Sequence, residues 1–254
     1  MVIDVHCHMG ASWYGFNHNK LTAYDIAKLY EKFGIDKGCL SSWEVAYDFE
    51  HGNQEVLQIC KELPDVFIPF VILAPRDGKE CLDMLSRYVE DHGFRGVKIH
   101  PSCNRFRVNS TWLMDPICEK CKEYDIPILF HAENNGYCNS MMIGDLAGRH
   151  PDVKMIIGHL GDETGMGYLD AIEAAKEHPN LYLDTTGCPA EVYILPTCIE
   201  QLGSERIVFG TDSPICNMKV ELDKVKYADA YGFAVTEEDK ANILGRNMQR
   251  ILGL

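Results

Sequence analysis

The chain has 254 residues and a formal net charge of −14, with 46% hydrophobic and 24% charged residues. This composition is typical of a folded globular protein and excludes a largely disordered chain or an integral membrane protein. The acidic balance also argues against nucleic acid and anionic membranes as partners, because neither is attracted to a negative surface.

Short apolar runs alternate along the chain with longer amphipathic stretches. The apolar runs predict eight β-strands, at residues 2–6, 37–42, 67–73, 96–99, 126–130, 154–158, 181–184 and 206–210. Helical periodicity fills the intervals, at residues 21–33, 55–61, 79–91, 111–123, 141–150, 168–177, 191–202, 220–231 and 236–252. Strands that are apolar at nearly every position suit a parallel sheet covered on both faces.

Eight strand–helix units in about 250 residues predict an α/β protein with a (β/α)8 TIM-barrel fold. We expect one domain over residues 1–254, since the chain shows no linker or low-complexity tract. A doubly wound open sheet is the alternative. That fold usually has fewer strands and often a glycine-rich phosphate loop after the first strand, where this chain has His6, Cys7 and His8 instead.

The first strand carries polar residues at alternate positions. Alternation in a strand predicts that Asp4, His6 and His8 share one face and that Cys7 points the other way, toward the helices. Two roles are open for Asp4, which either orients His6 or neutralises Lys98.

Polar residues follow most of the predicted strands. In a barrel of this kind the functional groups lie at the carboxyl ends of the strands. Those ends carry His6 and His8, Lys98 and His100, His131, His159, Asp184, and Asp212. Five of the ten histidines therefore fall in a small share of the sequence. Imidazoles and a carboxylate that converge on a barrel mouth describe a site for a divalent metal with an open position for chemistry.

The ordered set at these strand ends resembles that of the amidohydrolase superfamily of metal-dependent barrels. The set consists of His6, His8, His131, His159 and Asp212. The closer likeness is to the amidohydrolase-2 branch, which includes the aminocarboxymuconate-semialdehyde decarboxylase group. Two further motifs match that branch, Gly-Val-Lys-Ile-His-Pro at 96–101 and Ile-Leu-Gly-Arg-Asn at 243–247. The resemblance covers essentially the whole chain.

The resemblance implies a ligand set and a proton carrier. The implied ligands of one divalent metal, with zinc expected first, are His6, His8, His131 and Asp212. His159 is implied to act beside the metal-bound water as an acid/base. Independently of the family, a divalent cation lowers the pKa of its water toward neutrality. Asp212 can then accept a proton from that water, and His159 can shuttle protons or stabilise a developing oxyanion.

Lys98 leaves the number of metals open. In binuclear relatives such as dihydroorotases and phosphotriesterases, a lysine on the fourth strand is carboxylated and bridges two metals. His131 and His159 would then ligate the second metal. The alternative is a plain ammonium paired with Asp4 or Asp184. The closer branch favours a single metal.

The substrate contacts are the least determined part of the site. His100 is predicted either to contact the substrate or to hold a loop. Arg105 is a candidate for a bidentate clamp on a substrate carboxylate, as is Arg107, although most arginines in such loops are solvated. A candidate pocket wall follows the first strand at Trp13, Tyr14 and Phe16.

The eleven cysteines are scattered, and the single CxxC pair, Cys118 and Cys121, lies in a predicted helix. The start of the chain has no secretory signal, so we interpret the cysteines as reduced and expect a cytoplasmic protein. The longest apolar runs are too short to cross a bilayer.

The leading functional hypothesis is a metal-dependent hydrolase of a small carbonyl, lactone or amide substrate. The alternative is non-oxidative decarboxylation of a small unsaturated or aromatic acid, which the same ligands would serve. A third hypothesis, of another class, is a non-catalytic metal-binding barrel. A small-molecule substrate and a homodimer are the expected partners.

Overall fold

A parallel eight-stranded sheet forms the centre of the molecule. The computed structural model describes residues 1–9, 21–45, 48–162, 167–187 and 191–254. Within these residues the strands follow each other in chain order, β1 Ile3–Met9, β2 Lys37–Ser42, β3 Phe67–Ile72, β4 Gly96–Ile99, β5 Ile128–Phe130, β6 Met155–Ile157, β7 Leu181–Asp184 and β8 Ile207–Val208.

Helices follow the strands and cover the sheet. Those in the described residues are α1 Ala23–Phe33, α2 Phe49–Glu62, α3 Lys79–Glu90, α4 Pro101–Asn104, α5 Thr111–Tyr124, α6 Ser140–Arg149, α7 Tyr168–Glu177, α8 Ile194–Leu202, α9 Met218–Lys226, α10 Glu237–Ala241 and α11 Asn247–Leu252. Cys118 and Cys121 both lie in α5, as predicted, and both are buried. Within the described ranges, none of the helices has the length and apolar character that crossing a bilayer requires.

The sheet closes on itself between β1 and β8. The backbone N–H of Val5 donates to the carbonyl of Phe209 over 2.9 Å, and that of His8 donates to the carbonyl of Ser213 over 2.7 Å. The N–H of Asp212 donates in turn to the carbonyl of His6 over 2.7 Å. The predicted (β/α)8 barrel is therefore confirmed.

Helix ends agree with local capping signals. Thr22 and Asp25 form a reciprocal capping box at the start of α1, and Gly34 ends that helix with φ 74°, a left-handed conformation that glycine adopts without strain. The helix predicted at 55–61 begins earlier, because the Asp48 side chain accepts a hydrogen bond from the N–H of His51 and caps α2. The last predicted helix begins with the expected Thr236 cap, but a π-helical turn at residues 242–246 separates α10 from α11.

The last strand is shorter than the sequence predicts. The next two backbone donors bond outside the sheet, since the N–H of Phe209 donates to the carbonyl of Ile243 and that of Gly210 to the hydroxyl of Thr185. Residues 209–213 instead pair with the end of β1 through the hydrogen bonds that close the barrel.

Two apolar layers surround the strands. Outward-facing side chains pack against the helices, whereas the interior holds residues such as Ile3, Val5, Phe70 and Leu129. Met248, Ile251 and Leu252 of α11 pack against this interior group. Because apolar side chains fill the interior of the barrel, the polar side chains lie at the carboxyl ends of the strands.

A β-bulge in β1 changes the prediction for Asp4. The pairing of β1 with β2 shifts register between Asp4 and Cys7, and Val5 faces the barrel interior with Ile3. One extra residue in a strand reverses the alternation beyond it. Asp4 therefore lies on the helix side, where its carboxylate accepts a hydrogen bond from the Tyr30 hydroxyl over 2.7 Å. The prediction that it shares a face with His6 and His8 is wrong, whereas Cys7 does pack toward the helices.

Candidate metal centre

A small cavity opens at the carboxyl ends of the strands. Its volume is about 180 Å³. The residues that line it are His6, His8, Trp43, Val45, Lys98, His100, His131, Glu133, Asp212 and Ile215. Most of the residues that the sequence singles out for metal chemistry are thus brought to one cavity, with an indole and two aliphatic side chains beside them.

His6 is held by a buried carboxylate. Its Nδ1 lies 2.7 Å from Oδ2 of Asp184, and its Nε2 lies 2.7 Å from Nζ of Lys98. Burial, reinforced by the charge of Lys98, lowers the pKa of His6 to about 3, so the ring is neutral. An ionised carboxylate only accepts hydrogen bonds, so Nδ1 carries the proton and Nε2 presents a lone pair to the site.

His8 lies between a hydroxyl and a carboxylate. Its Nδ1 is 3.0 Å from Oγ of Ser41, and its Nε2 is 3.3 Å from Oδ1 of Asp212. The ring packs against the Trp43 indole with 4.3 Å between centroids. Burial lowers the pKa of His8 as well, so it too is suited to act as a neutral ligand.

Asp212 completes a converging group. Its Oδ1 lies 3.6 Å from Nε2 of His6, and one donor atom from each of these two residues and from His8 falls within 4.8 Å of the others. Burial opposes ionisation of Asp212, but the hydrogen bond from His8 and the nearby His6 outweigh it and hold the pKa of Asp212 below its usual range. Two imidazole nitrogens and a carboxylate oxygen are a donor set that divalent zinc or manganese accepts.

His131 lies in the same cavity but is hydrogen-bonded to other groups. Its Nε2 is 2.6 Å from Oε1 of Glu133, and its Nδ1 is 2.9 Å from Nε2 of His159. Three of the four predicted ligands therefore converge directly. The fourth, His131, lies in the adjacent wall of the cavity, and its Nδ1 faces His159. Burial lowers the pKa of His131 well below its ordinary value.

His159 is buried behind His131 and is not among the lining residues. Its ring lies 4.7 Å from that of His131 and 5.0 Å from that of His6, between centroids. Its backbone is left-handed, with φ 59°, and its N–H donates to Oδ1 of Asp184 over 2.8 Å. A side chain at Gly187 would bring its Cβ to 2.7 Å from Nδ1 of His159, so a glycine is needed there for the ring to fit.

Lys98 is the buried cation of the site. Burial lowers the pKa of Lys98 to about 8, although Asp212 and Asp184 partly offset that effect. Its ammonium contacts His6 rather than Asp4, so the pairing with Asp4 that the sequence left open is not formed. Lys98 and a metal ion would compete for the same lone pair on His6.

The two predicted substrate contacts are placed differently. His100 lines the cavity and stacks on His131, with 3.8 Å between ring centroids and 17° between planes. Arg105 ends α4 on the exposed surface, with its carbonyl bound by Arg76, and it is not among the lining residues. The structure therefore does not bring the proposed clamp at Arg105 to this cavity, and Arg107 is exposed as well. The predicted wall at residues 13, 14 and 16 lies outside the described residues.

A second group of possible ligands shares the cavity, namely His100, His131 and Glu133. The two rings stack face to face, so their in-plane lone pairs run nearly parallel and do not converge on one ion. Nε2 of His131 is also hydrogen-bonded to Glu133. We therefore interpret this group as a support for His131 rather than as a second metal site.

Several residues of the site were not assigned from sequence. Glu133 and Asp184 hold histidine nitrogens, Ser41 holds His8, and Trp43 forms a wall. Asp184 ends a predicted strand, which is a usable signal. Glu133 follows His131 by two positions, but nothing in the spacing shows that the two side chains meet.

Comparison with known proteins places this geometry in context. A family model described as amidohydrolase matches residues 3–254. A curated relative, gamma-resorcylate decarboxylase from Rhizobium sp. (strain MTP-10005), is 21% identical over 307 aligned positions, which cover 96% of this chain and 91% of the relative.

Solved structures share the fold at low identity. A dihydroxybenzoic acid decarboxylase from Polaromonas sp. JS666, with bound manganese and the inhibitor 2-nitroresorcinol, superposes with a TM-score of 0.78 at 18% identity, over 100% of this chain and 96% of that one. A 4-oxalomesaconate hydratase from Rhodopseudomonas palustris gives a TM-score of 0.74 at 18% identity, also over 100% and 96% of the two chains.

Proposed function

The chain belongs to the amidohydrolase family, and from that membership we propose that it is a metal-dependent decarboxylase of a small unsaturated or aromatic acid. The observation that carries the proposal is the cavity, where converging ligand atoms lie next to the flat Trp43 indole and the aliphatic Val45 and Ile215. Its volume of about 180 Å³ is below the range of drug-sized pockets and suits a molecule built on one ring. The decarboxylases among the similar proteins support this alternative over the hydrolase that the sequence puts first.

The proposed metal site uses this chain's own donors. His6 and His8 offer Nε2, Asp212 offers a carboxylate oxygen, and His131 is the fourth ligand predicted from sequence. A bound divalent cation supplies a Lewis acid that attracts the carboxylate of the substrate and withdraws charge from it. Manganese occurs in one related structure, and zinc stays a prediction from the sequence.

Decarboxylation requires a proton at the carbon that loses CO2. The carbon–carbon bond breaks, its electron pair stays on the substrate carbon, and a proton then bonds to that carbon. Asp212 is held ionised by His8 and His6, so it is suited to bind a cation. We assign proton delivery to His159, the acid/base predicted from sequence, whose ring lies 5.0 Å from that of His6 and 4.7 Å from that of His131, between centroids.

Hydrolysis or hydration is the second candidate function. The hydratase among the structural neighbours shows that this fold also accompanies addition of water in another protein. Here the same ligands and His159 would activate water instead of delivering a proton to carbon. A non-catalytic barrel is less well supported, because the named relatives of this chain are enzymes. A cytoplasmic location, a homodimer and a single domain stay predictions from the sequence.

The test is a substrate screen on the purified chain loaded with Mn²⁺ or Zn²⁺. We expect CO2 release from at least one hydroxylated benzoate or unsaturated acid, one divalent metal per chain, and loss of that metal in His6→Ala and Asp212→Ala. His92→Ala, which removes a histidine before β4 at the other end of the barrel, is the matched control. A metal-loaded enzyme that hydrolyses a lactone or amide and releases no CO2 would refute the decarboxylase assignment.

A further inference from the structure

Glu133 contacts His131, one of the predicted metal ligands. Its Oε1 lies 2.6 Å from Nε2 of His131, and it partly lines the cavity with 26% of its side chain exposed. The carboxylate can only accept, so the proton of the neutral His131 ring must be on Nε2. The lone pair is then on Nδ1, which lies 2.9 Å from Nε2 of His159.

The position of Glu133 is itself well supported. Its Oε2 accepts hydrogen bonds from the Ser102 hydroxyl, over 3.1 Å, and from the Asn135 side-chain amide. The Asn135 side chain also accepts from the backbone N–H groups of Tyr137 and Cys138, which closes a tight turn after β5. Glu133 is therefore held by two elements, the turn and helix α4, rather than resting on the solvent.

At the other two histidines of the site, a neighbouring side chain likewise holds one ring nitrogen. Asp184 holds Nδ1 of His6, and Ser41 holds Nδ1 of His8, so that Nε2 of each ring faces the centre. At His131 the roles of the two nitrogens are exchanged, because Glu133 approaches from the Nε2 side. A partner on the outer nitrogen selects the tautomer and orientation of a ligating histidine.

We propose that Glu133 is a positioning residue that fixes His131 in the tautomer whose Nδ1 is the metal-binding atom. The proposal rests on the metal site of the proposed function. It differs from a purely electrostatic role, in which the negative charge of Glu133 would simply attract a cation. The essential property of Glu133 is that it accepts a hydrogen bond from Nε2 of His131. Its negative charge is not essential.

Two substitutions at one position separate these roles. Glu133→Leu removes the acceptor, and we expect Mn²⁺ or Zn²⁺ affinity, measured by chelator competition, to fall about 10- to 100-fold. Glu133→Gln keeps an acceptor oxygen but removes the charge, so it should recover most of that loss. In the metal-free protein, ¹⁵N NMR of the histidine rings should show His131 protonated at Nε2 in the wild type and a mixture of tautomers in Glu133→Leu.

Glu173→Leu, which removes an exposed carboxylate of α7, is the control and should leave the affinity within about twofold. Equal losses in Glu133→Gln and Glu133→Leu would show that charge alone matters and overturn the proposal. Unchanged affinity and tautomer in Glu133→Leu would overturn it too. These measurements need no substrate, so a wild type that binds metal and releases no CO2 refutes only the proposed function.

Discussion

Nδ1 of His6 lies 2.7 Å from Oδ2 of Asp184, although 178 positions separate the two residues and both are fully buried. Oδ1 of the same carboxylate accepts hydrogen bonds from the backbone N–H of His159, over 2.8 Å, and of Thr186, over 3.0 Å. One side chain at the end of β7 thus orients the first predicted ligand and the predicted proton carrier together. Burial opposes its charge, yet His6, His159 and the hydrogen bond from the Thr186 hydroxyl together hold the pKa of Asp184 below its usual range.

Asp184→Asn should weaken metal binding. Oδ1 of Asp184 accepts the backbone N–H groups of His159 and Thr186, so an asparagine keeps its oxygen there and turns its amide N–H toward His6, which no longer selects the tautomer with a free Nε2. We expect divalent-metal affinity to fall about 10- to 100-fold, as measured by chelator competition. Asp170→Asn, at an exposed position of α7, is the control. Equal affinities in the two variants would contradict the role given to Asp184.

His159→Gln distinguishes a proton carrier from a ligand. If His159 delivers a proton and does not bind the metal, kcat should fall about 10²- to 10⁴-fold while metal content stays at one per chain. Metal analysis and steady-state kinetics on the same preparation check this expectation. Loss of the metal together with activity would instead place His159 in the coordination sphere, as in the two-metal arrangement.

Asp4 should be required for stability rather than for chemistry alone. It accepts hydrogen bonds from the backbone N–H groups of His6 and Thr211 and from the hydroxyls of Tyr30 and Thr211. Asp4→Ala leaves these buried donors without their acceptor, and we expect unfolding free energy to fall by about 3–5 kcal/mol. Tyr30→Phe removes one donor and should cost about 1 kcal/mol. Urea unfolding measures both, and equal costs would contradict this assignment.

Glu221 should make stability depend on pH. Burial, only partly offset by Lys224, raises the pKa of Glu221 from an ordinary 4.5 to about 7. Between these values the folded state binds more protons than the unfolded state, so the contribution of Glu221 is fully present below pH 4.5 and is lost as the pH rises through 7. Glu221→Gln does not titrate, so its stability relative to the wild type should increase across this window by about 2–3 kcal/mol.

Urea unfolding of both proteins at several pH values across that window measures the effect. Glu200→Gln, on the exposed side of α8, should show a constant difference from the wild type and serves as the control. A stability difference between Glu221→Gln and the wild type that does not change with pH would show that Glu221 is ionised throughout the window.

The order of elements and the residue types of the site could be read from the sequence. Strand candidates are apolar at nearly every position, and helix starts such as Thr22 and Thr236 carry capping signals. Strands and helix starts are therefore encoded by residues that are close together in the sequence. Because the carboxyl ends of the strands meet at one end of a barrel, His6, His8 and Asp212 could be predicted to lie together before any side-chain contact was known. The family resemblance, confirmed by the match over residues 3–254, extends this to the whole chain.

The contacts that orient these residues depended on tertiary structure. The bulge that turns Asp4 away from His6 adds one residue to one strand, a change that hydrophobic periodicity does not register. The exposed position of Arg105 follows from the left-handed end of a four-residue helix.

The sequence by itself determined which side chains are available at the mouth of the barrel, because strand periodicity and chain order are local properties. Only the tertiary structure decided which nitrogen of each histidine faces the centre. That choice depends on where the acceptor lies, and Asp184 reaches His6 from the opposite end of the chain, while Glu133 reaches His131 through a turn held by Ser102 and Asn135. A hydrogen bond selects a tautomer only when donor and acceptor lie about 3 Å apart. The number of residues between them in the sequence does not show whether they do.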